Sequence, residues 1–313
     1  MSQYSLCSQI GENTGAIDCD KKPGVPSKFF VGSTKITPSQ YASNPLLKTA
    51  FLGAINLPRG SQGKLFPFPE IQGTTPTKEA NTEGNLGYGL KFVLREGRPS
   101  WNFTIVCGDA QYKALRSFNN STQPVIFIDQ DNVLWGIKDA RQNFTGFSAQ
   151  IFVSGNDFED GNDVNLKTAT VSISLVSASQ WNDGRVNESV DFSGADFEGL
   201  KDVKIEVVGA VAASTKVKLT IPTGSLTKEI NLYDYYPAAP ASIFVATGNG
   251  AALPITGITP NASDKTYTLA FDTTAFNALT PGQEITINLV APADLLIAGI
   301  AGSEGIKLVT SKP

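Results

Sequence analysis

The sequence predicts a mainly β protein of two domains: a β-sandwich or barrel with one or two short helices over residues 1–190, then an immunoglobulin-like β-sandwich over residues 191–313. Three observations carry this expectation. Apolar and polar residues alternate in short runs such as Ser100–Cys107 and Thr168–Ser177, the two-residue period of a half-buried strand. Turn residues separate the runs, as in Gln130-Asp131-Asn132, Pro222-Thr223-Gly224 and Thr280-Pro281-Gly282. Composition also changes along the chain: 17 basic and 17 acidic residues fall in the first 190 positions, and 8 basic and 12 acidic after them, so the whole net charge of −4 sits in the second part. All three tryptophans and all three cysteines lie in the first part, and a polar stretch over 187–197 marks the boundary.

Taken in order, Ser43-Asn44-Pro45 reads as a helix start with proline at the first helical position. The helix runs over Pro45–Ile55, with Leu46, Leu47, Ala50, Phe51 and Ala54 on one stripe. Gln72–Asn85 has turn residues and no apolar period, and is expected to be a long polar loop. Gly87–Arg95 and Ser100–Cys107 read as a hairpin around Glu96–Pro99, with Tyr88, Leu90, Phe92 and Leu94 facing Trp101, Phe103, Ile105 and Cys107 in a core wall. Asp109 is placed to cap a second helix, Ala110–Phe118. Pro124–Asp129 and Val133–Gly136 form another hairpin, and Phe147–Ser154 a further strand. Thr168–Ser177 turns Val171, Ile173 and Leu175 inward and Thr170, Ser172 and Ser174 outward. The second part carries strand runs near Val203–Val208, Lys216–Ile221, Ser242–Ala246, Thr266–Phe271, Glu284–Leu289 and Ile306–Val309, spaced as in an immunoglobulin-like sandwich but with no Cys or Trp.

The chain contains no histidine. That removes the side chain most used for acid–base work near neutrality and the commonest nitrogen ligand for transition metals, so His-dependent hydrolase mechanisms are excluded. Asp129, Asp131 and Asp139 are the carboxylates nearest aromatics, without a spacing that singles out a pair. Gly84-Asn85-Leu86-Gly87-Tyr88-Gly89 lacks the order of a dinucleotide-binding loop, and no phosphate-binding GKT or GKS occurs. The acidic run Asp157–Asp163 lacks the ligand spacing of a calcium loop; a solvated turn is expected there, with calcium as the alternative. Cys7, Cys19 and Cys107 have no metal-ligand spacing. Arg95, Arg98, Arg116 and Arg141 are scattered and make no phosphate-binding footprint. The expectation is a non-enzymatic chain with no catalytic residue, no metal and no cofactor. The first thirty residues lack a secretory signal, and the longest charge-free stretch, Pro237–Ser263, is broken by Pro and Gly; synthesis in the cytoplasm without membrane insertion is expected.

Residues LREGRPSWNFTI (94–105), PVIFIDQDNVLWGIKDARQNFTGFSAQIFVSG (124–155) and VNLKTATVSISLVSASQWND (164–183) resemble virion structural proteins of tailed bacteriophages, above all major tail tube proteins. The last part is similar to the immunoglobulin-like domains appended to such proteins. The resemblance implies a virion subunit, made in the host cytoplasm, that forms rings, usually hexamers, stacked into a tube through which DNA passes without specific binding. Its partners are then copies of itself and other virion proteins. It also implies that Met1–Phe30 and the stretch Gln72–Asn85, with Thr74, Thr75, Lys78, Glu79, Asn81 and Glu83, form the oligomer interface, and that Thr170, Ser172 and Ser174 face the lumen. Two other readings stay open: a different virion component (capsid, decoration or connector protein), and a carbohydrate-binding module using Tyr233, Tyr235 and Tyr236.

Overall fold

The computed structural model describes residues 24–86, 88, 90–155, 168–223 and 229–313. The chain is mainly β and divides into two compact units, residues 1–54 with 62–198, and residues 55–61 with 199–313.

The first unit contains β1 (Pro26–Val31), α1 (Asn44–Ile55), β2 (Phe66–Pro67), β3 (Ile71–Lys78), β4 (Thr82–Leu86), β5 (Leu90–Arg95), β6 (Pro99–Val106), α2 (Asp109–Arg116), β7 (Ser121–Asp129), β8 (Val133–Lys138), β9 (Phe144–Thr145), β10 (Phe147–Gly155), β11 (Thr168–Leu175), α3 (Ser179–Asn182) and β12 (Arg185–Ser189). Ten of its strands form one sheet in the order β12-β8-β7-β10-β11-β6-β3, with β1 paired to β7 and β2, and β9 to β8. The sheet curls. Trp101 of β6 and Trp135 of β8 stand near opposite ends of this order, yet both rings pack on Trp181 of α3, at 5.1 and 5.8 Å between centroids. The enclosed core takes alternate residues of each strand, including Phe103, Ile105, Phe127, Phe147, Ile151, Val171 and Ile173, all at or below 1% exposure.

Several elements differ from the sequence expectation. Gln72–Asn85 is not a loop: it supplies β3, the edge strand on β6, and β4, which pairs with β5. Backbone hydrogen bonding recruits this polar run without needing an apolar period. The expected hairpin between Gly87–Arg95 and Ser100–Cys107 does not form, because β6 pairs with β3 and β11. Trp101, Phe103, Ile105 and Cys107 are buried as expected, whereas Tyr88, Phe92 and Leu94 are exposed. In α1, Leu47, Phe51 and Ala54 are buried but Leu46 lies on the outer side. The second helix starts at Asp109 after an N-cap at Gly108, so Asp109 occupies the first turn.

The end of the first unit is a second aromatic cluster. Phe30, on the opposite side of β1 from Phe29, packs edge-on against Phe51 of α1 and Phe197, with Phe192 beside them. The Lys28 ammonium is buried and donates to the Phe197 carbonyl at 2.5 Å. Burial pushes the Lys28 pKa below its usual range, opposed by the nearby Glu70 and Glu198 carboxylates. These contacts hold residues 190–198 in the first unit, beyond the 190/191 boundary expected from composition.

The second unit contains β13 (Lys201–Val208), β14 (Ser214–Pro222), β15 (Glu229–Asn231), β16 (Phe244–Gly248), β17 (Ala251–Ala252), β18 (Ile255–Asn261), β19 (Thr266–Phe271), α4 (Thr273–Ala278), β20 (Glu284–Leu289), α5 (Pro292–Ile297), β21 (Ser303–Ile306) and β22 (Leu308–Ser311). One sheet runs β18-β19-β14-β13-β21 with β15 on β14; the other runs β17-β16-β20-β22. Val217, Leu219 and Leu269 of the first sheet and Ile285 and Ile287 of the second share one core, which makes this unit a β-sandwich. The expected strand near Ile306–Val309 is two strands, β21 parallel to β13 and β22 antiparallel to β20. Among the described residues, no helix is long and apolar enough to cross a membrane.

Candidate assembly surface

The stretch Ile71–Val106 is one long hairpin in two stages. Its base, β3 on β6, belongs to the ten-stranded sheet. Its distal part, β4 on β5, pairs with no other strand among the described residues. The two stages meet at a joint built from residue-specific contacts. Gly97 donates its N–H to the Asn81 Oδ1 at 2.8 Å, and Glu79 donates its N–H to the Arg98 carbonyl at 3.1 Å. The Arg98 guanidinium grips the Glu79 carboxylate through Nε and Nη2 at 3.2 and 2.9 Å, with Arg95 3.5 Å away. The Arg98 hydrogen bond holds the Glu79 pKa below the usual carboxylate range. A Cβ on Gly97 would stand 1.7 Å from the Glu79 carbonyl oxygen, so only glycine lets the two arms approach this closely.

Beyond the joint, Phe92 and Leu94 lie over Gly84, whose missing side chain makes room for them. Both remain exposed, at 40% and 62%, with Val93 on the other face at 52% and Tyr88 fully in solvent. Glu83 and Lys91 form a surface ion pair at 3.0 Å. An isolated two-stranded ribbon is marginally stable in water, and this one exposes apolar side chains that a solvent-facing ribbon does not need.

The second part of the surface is a sheet face. The registers β3–β6, β6–β11, β11–β10 and β10–β7 place Thr75, Thr77, Ser100, Asn102, Thr104, Thr170, Ser172, Ser174, Gln150, Ser154 and Thr122 on the side away from the core. Ser172 donates to the Asn102 Oδ1 at 2.6 Å, and the Thr77 and Ser100 hydroxyls bond at 2.7 Å. None of these side chains is charged. Phe152 and Val106 are its exposed apolar members.

Of the residues singled out from sequence, Thr75 and Lys78 are exposed on β3, Glu79 and Asn81 build the joint, and Glu83 lies on the ribbon. Thr74 does not share the outer face: it pairs with Phe103, and its Oγ1 is buried without a partner. Thr170, Ser172 and Ser174 stand together on the uncharged face as expected. The ribbon's apolar members, Tyr88, Phe92, Val93 and Leu94, were missed as surface residues because their alternation is also that of a core strand.

The remaining candidates have structural occupations. Asp129 is buried and accepts from the N–H groups of Gly24, Asp131 and Val133 and from the Trp135 indole, at 3.0, 2.9, 2.8 and 3.2 Å. Asp139 accepts from Asn143 and Arg141 in a tight turn, and the Asn143 side chain is the main reason that its pKa is lowered. Of the three tyrosines, only Tyr235 is exposed: Tyr233 packs on Tyr267 at 5.3 Å, and the Tyr236 carbonyl accepts from the Tyr267 hydroxyl. They form no flat stacking platform. Cys107 is buried in the core. Cys7, Cys19, the Asp157–Asp163 run and the Met1–Pro23 part of the expected N-terminal interface lie outside the described residues. Comparison with protein-family models and with curated proteins finds no match for the chain.

Proposed function

We propose that this chain is a non-enzymatic, self-assembling virion subunit whose copies form rings, probably best sought as hexamers, that stack into a tail tube for DNA. The observation that carries the reading is the Ile71–Val106 hairpin. Its base forms the edge of an uncharged, hydroxyl-rich sheet face, and its far end is an unsupported ribbon with exposed apolar side chains. A passage for DNA needs a wall that does not hold phosphates, and a face of Ser, Thr, Asn and Gln supplies no cation for them. The ribbon supplies what a repeating contact needs, since a protruding patch that fits a neighbour's surface generates closed rings or open stacks. In this reading the joint at Glu79–Asn81 and Glu96–Arg98 sets the ribbon's direction, and Thr170, Ser172 and Ser174 line the channel. Other virion proteins are the remaining partners, and the particle is the location.

Sedimentation velocity with negative-stain microscopy of the purified full chain tests this. Rings or tubes are expected as concentration rises. A species that stays monomeric at every concentration and salt refutes the reading.

A further inference from the structure

The chain's three tryptophans meet in one groove of about 370 Å³ in the first unit. Trp101 and Trp135, 6% and 1% exposed, form its floor, and Trp181 is partly buried beside them. Thr74 and Pro76 of β3 line it from one end of the sheet order; Arg185 of β12 lines it from the other, its guanidinium 4.6 Å from the Trp181 ring centre. The groove is therefore the open seam of the curled sheet, flanked by two edge strands that each bond to a neighbour on one side only. Each edge also carries a buried side-chain oxygen with no partner, Thr74 Oγ1 and Asn187 Oδ1. A seam with an aromatic floor and unpaired strand edges is suited to an extended segment, which adds backbone hydrogen bonds and fills the aromatic surface.

We propose that this seam is the acceptor for the β4–β5 ribbon of a second copy of the chain, an inference that rests on the assembly reading above and names its receiving surface. The ribbon's own groove is out of reach. The Gly84–Phe92 pair lies eight residues beyond Pro76 along the hairpin, roughly 25 Å at a strand's rise of ~3.3 Å per residue, directed away from the seam. Covering Tyr88, Phe92, Val93 and Leu94 removes on the order of 400 Å² from water on the ribbon side. That is about half of what one partner contributes to a standard interface. Such a contact is too small to hold an isolated dimer and suited to a head-to-tail array in which each copy gives one ribbon and receives another. Apolar side chains on the ribbon and tryptophans in the groove match in character, and the contact is heterologous, as ring or stack formation requires.

Because all three tryptophans line the groove and the ribbon contains none, their fluorescence reports occupancy directly. The full chain is titrated, below its assembly concentration, with a cyclised peptide of residues 80–97. A saturable shift of emission to shorter wavelength and at least a twofold fall in acrylamide quenching are expected, and neither with a peptide carrying Phe92→Ser and Leu94→Ser. The same changes are expected when the unmodified chain assembles. Particles that assemble with unchanged emission and quenching overturn the groove assignment and leave the assembly reading intact. A chain that never assembles refutes that reading, and the peptide titration then decides the groove by itself: no shift overturns it.

Discussion

Replacing Asp129 tests how the first unit holds its seam open. Its carboxylate accepts four N–H donors, two of which, the Val133 amide and the Trp135 indole, are fully enclosed. It thereby ties the start of β1 at Gly24 to the β7–β8 turn and to the groove floor. In Asp129→Ala, each enclosed donor is left without an acceptor at about 1–3 kcal/mol, so the variant is expected to lose about 4 kcal/mol. Asp129→Asn keeps the shape but turns one acceptor into an NH₂ facing other donors, and is expected to lose about 2–3 kcal/mol. Urea unfolding followed by tryptophan fluorescence isolates this unit, since every tryptophan lies in it. With a slope of about 2 kcal/mol per molar, the midpoint of Asp129→Ala falls by about 2 M and that of Asp129→Asn by about 1 M. An Asp129→Asn midpoint within ~0.2 M of the unmodified chain refutes the reasoning.

Three further outcomes are expected. Gly97→Ala forces its Cβ into the Glu79 carbonyl, so the ribbon is misdirected; assembly by sedimentation is expected to fall at least tenfold while the second unit's unfolding is unchanged. Phe197→Ala removes a fully buried ring from the cluster with Phe30 and Phe51 and is expected to cost the first unit about 3–5 kcal/mol in the same urea assay. Burial raises the Glu188 pKa above its ordinary 4.5, with Lys138 opposing, so the folded state binds more protons than the unfolded one between these values and stability falls as pH rises through them. Glu188→Gln removes that loss: the variant is expected to gain in Tm on the unmodified chain between pH 4 and pH 7, and parallel Tm curves contradict the assignment.

What could be read from the sequence was local. In β11, Val171, Ile173 and Leu175 are buried and Thr170, Ser172 and Ser174 outward, because a strand's two-residue period is written in its own residues. The same is true of β7, β8 and their turn, where Asn132 takes a left-handed conformation that asparagine tolerates. Pairing was not legible. Phe92 and Leu94 alternate like core residues, and nothing within β5 says that its partner is the polar β4 rather than β6. β3 is recruited by backbone bonds to β6, a long-range choice that Gly73, Thr74, Thr75 and Pro76 do not advertise. The uncharged face was half visible: one strand of it could be read from Thr168–Ser177, but its extent emerges only when β3, β6, β10 and β11 are set side by side. Deleting Gln72–Asn85, reasonable for a loop, would remove an edge strand of the main sheet. The informative deletion is the ribbon alone.

The central claim is that the uncharged face of β3, β6, β11 and β10 lines a channel built from repeated copies. Electron cryomicroscopy of the assembled full chain measures this directly. The account expects a hollow ring or tube with Thr170, Ser172 and Ser174 at its inner wall; an assembly in which that face points outward, or is buried against a neighbour, contradicts it.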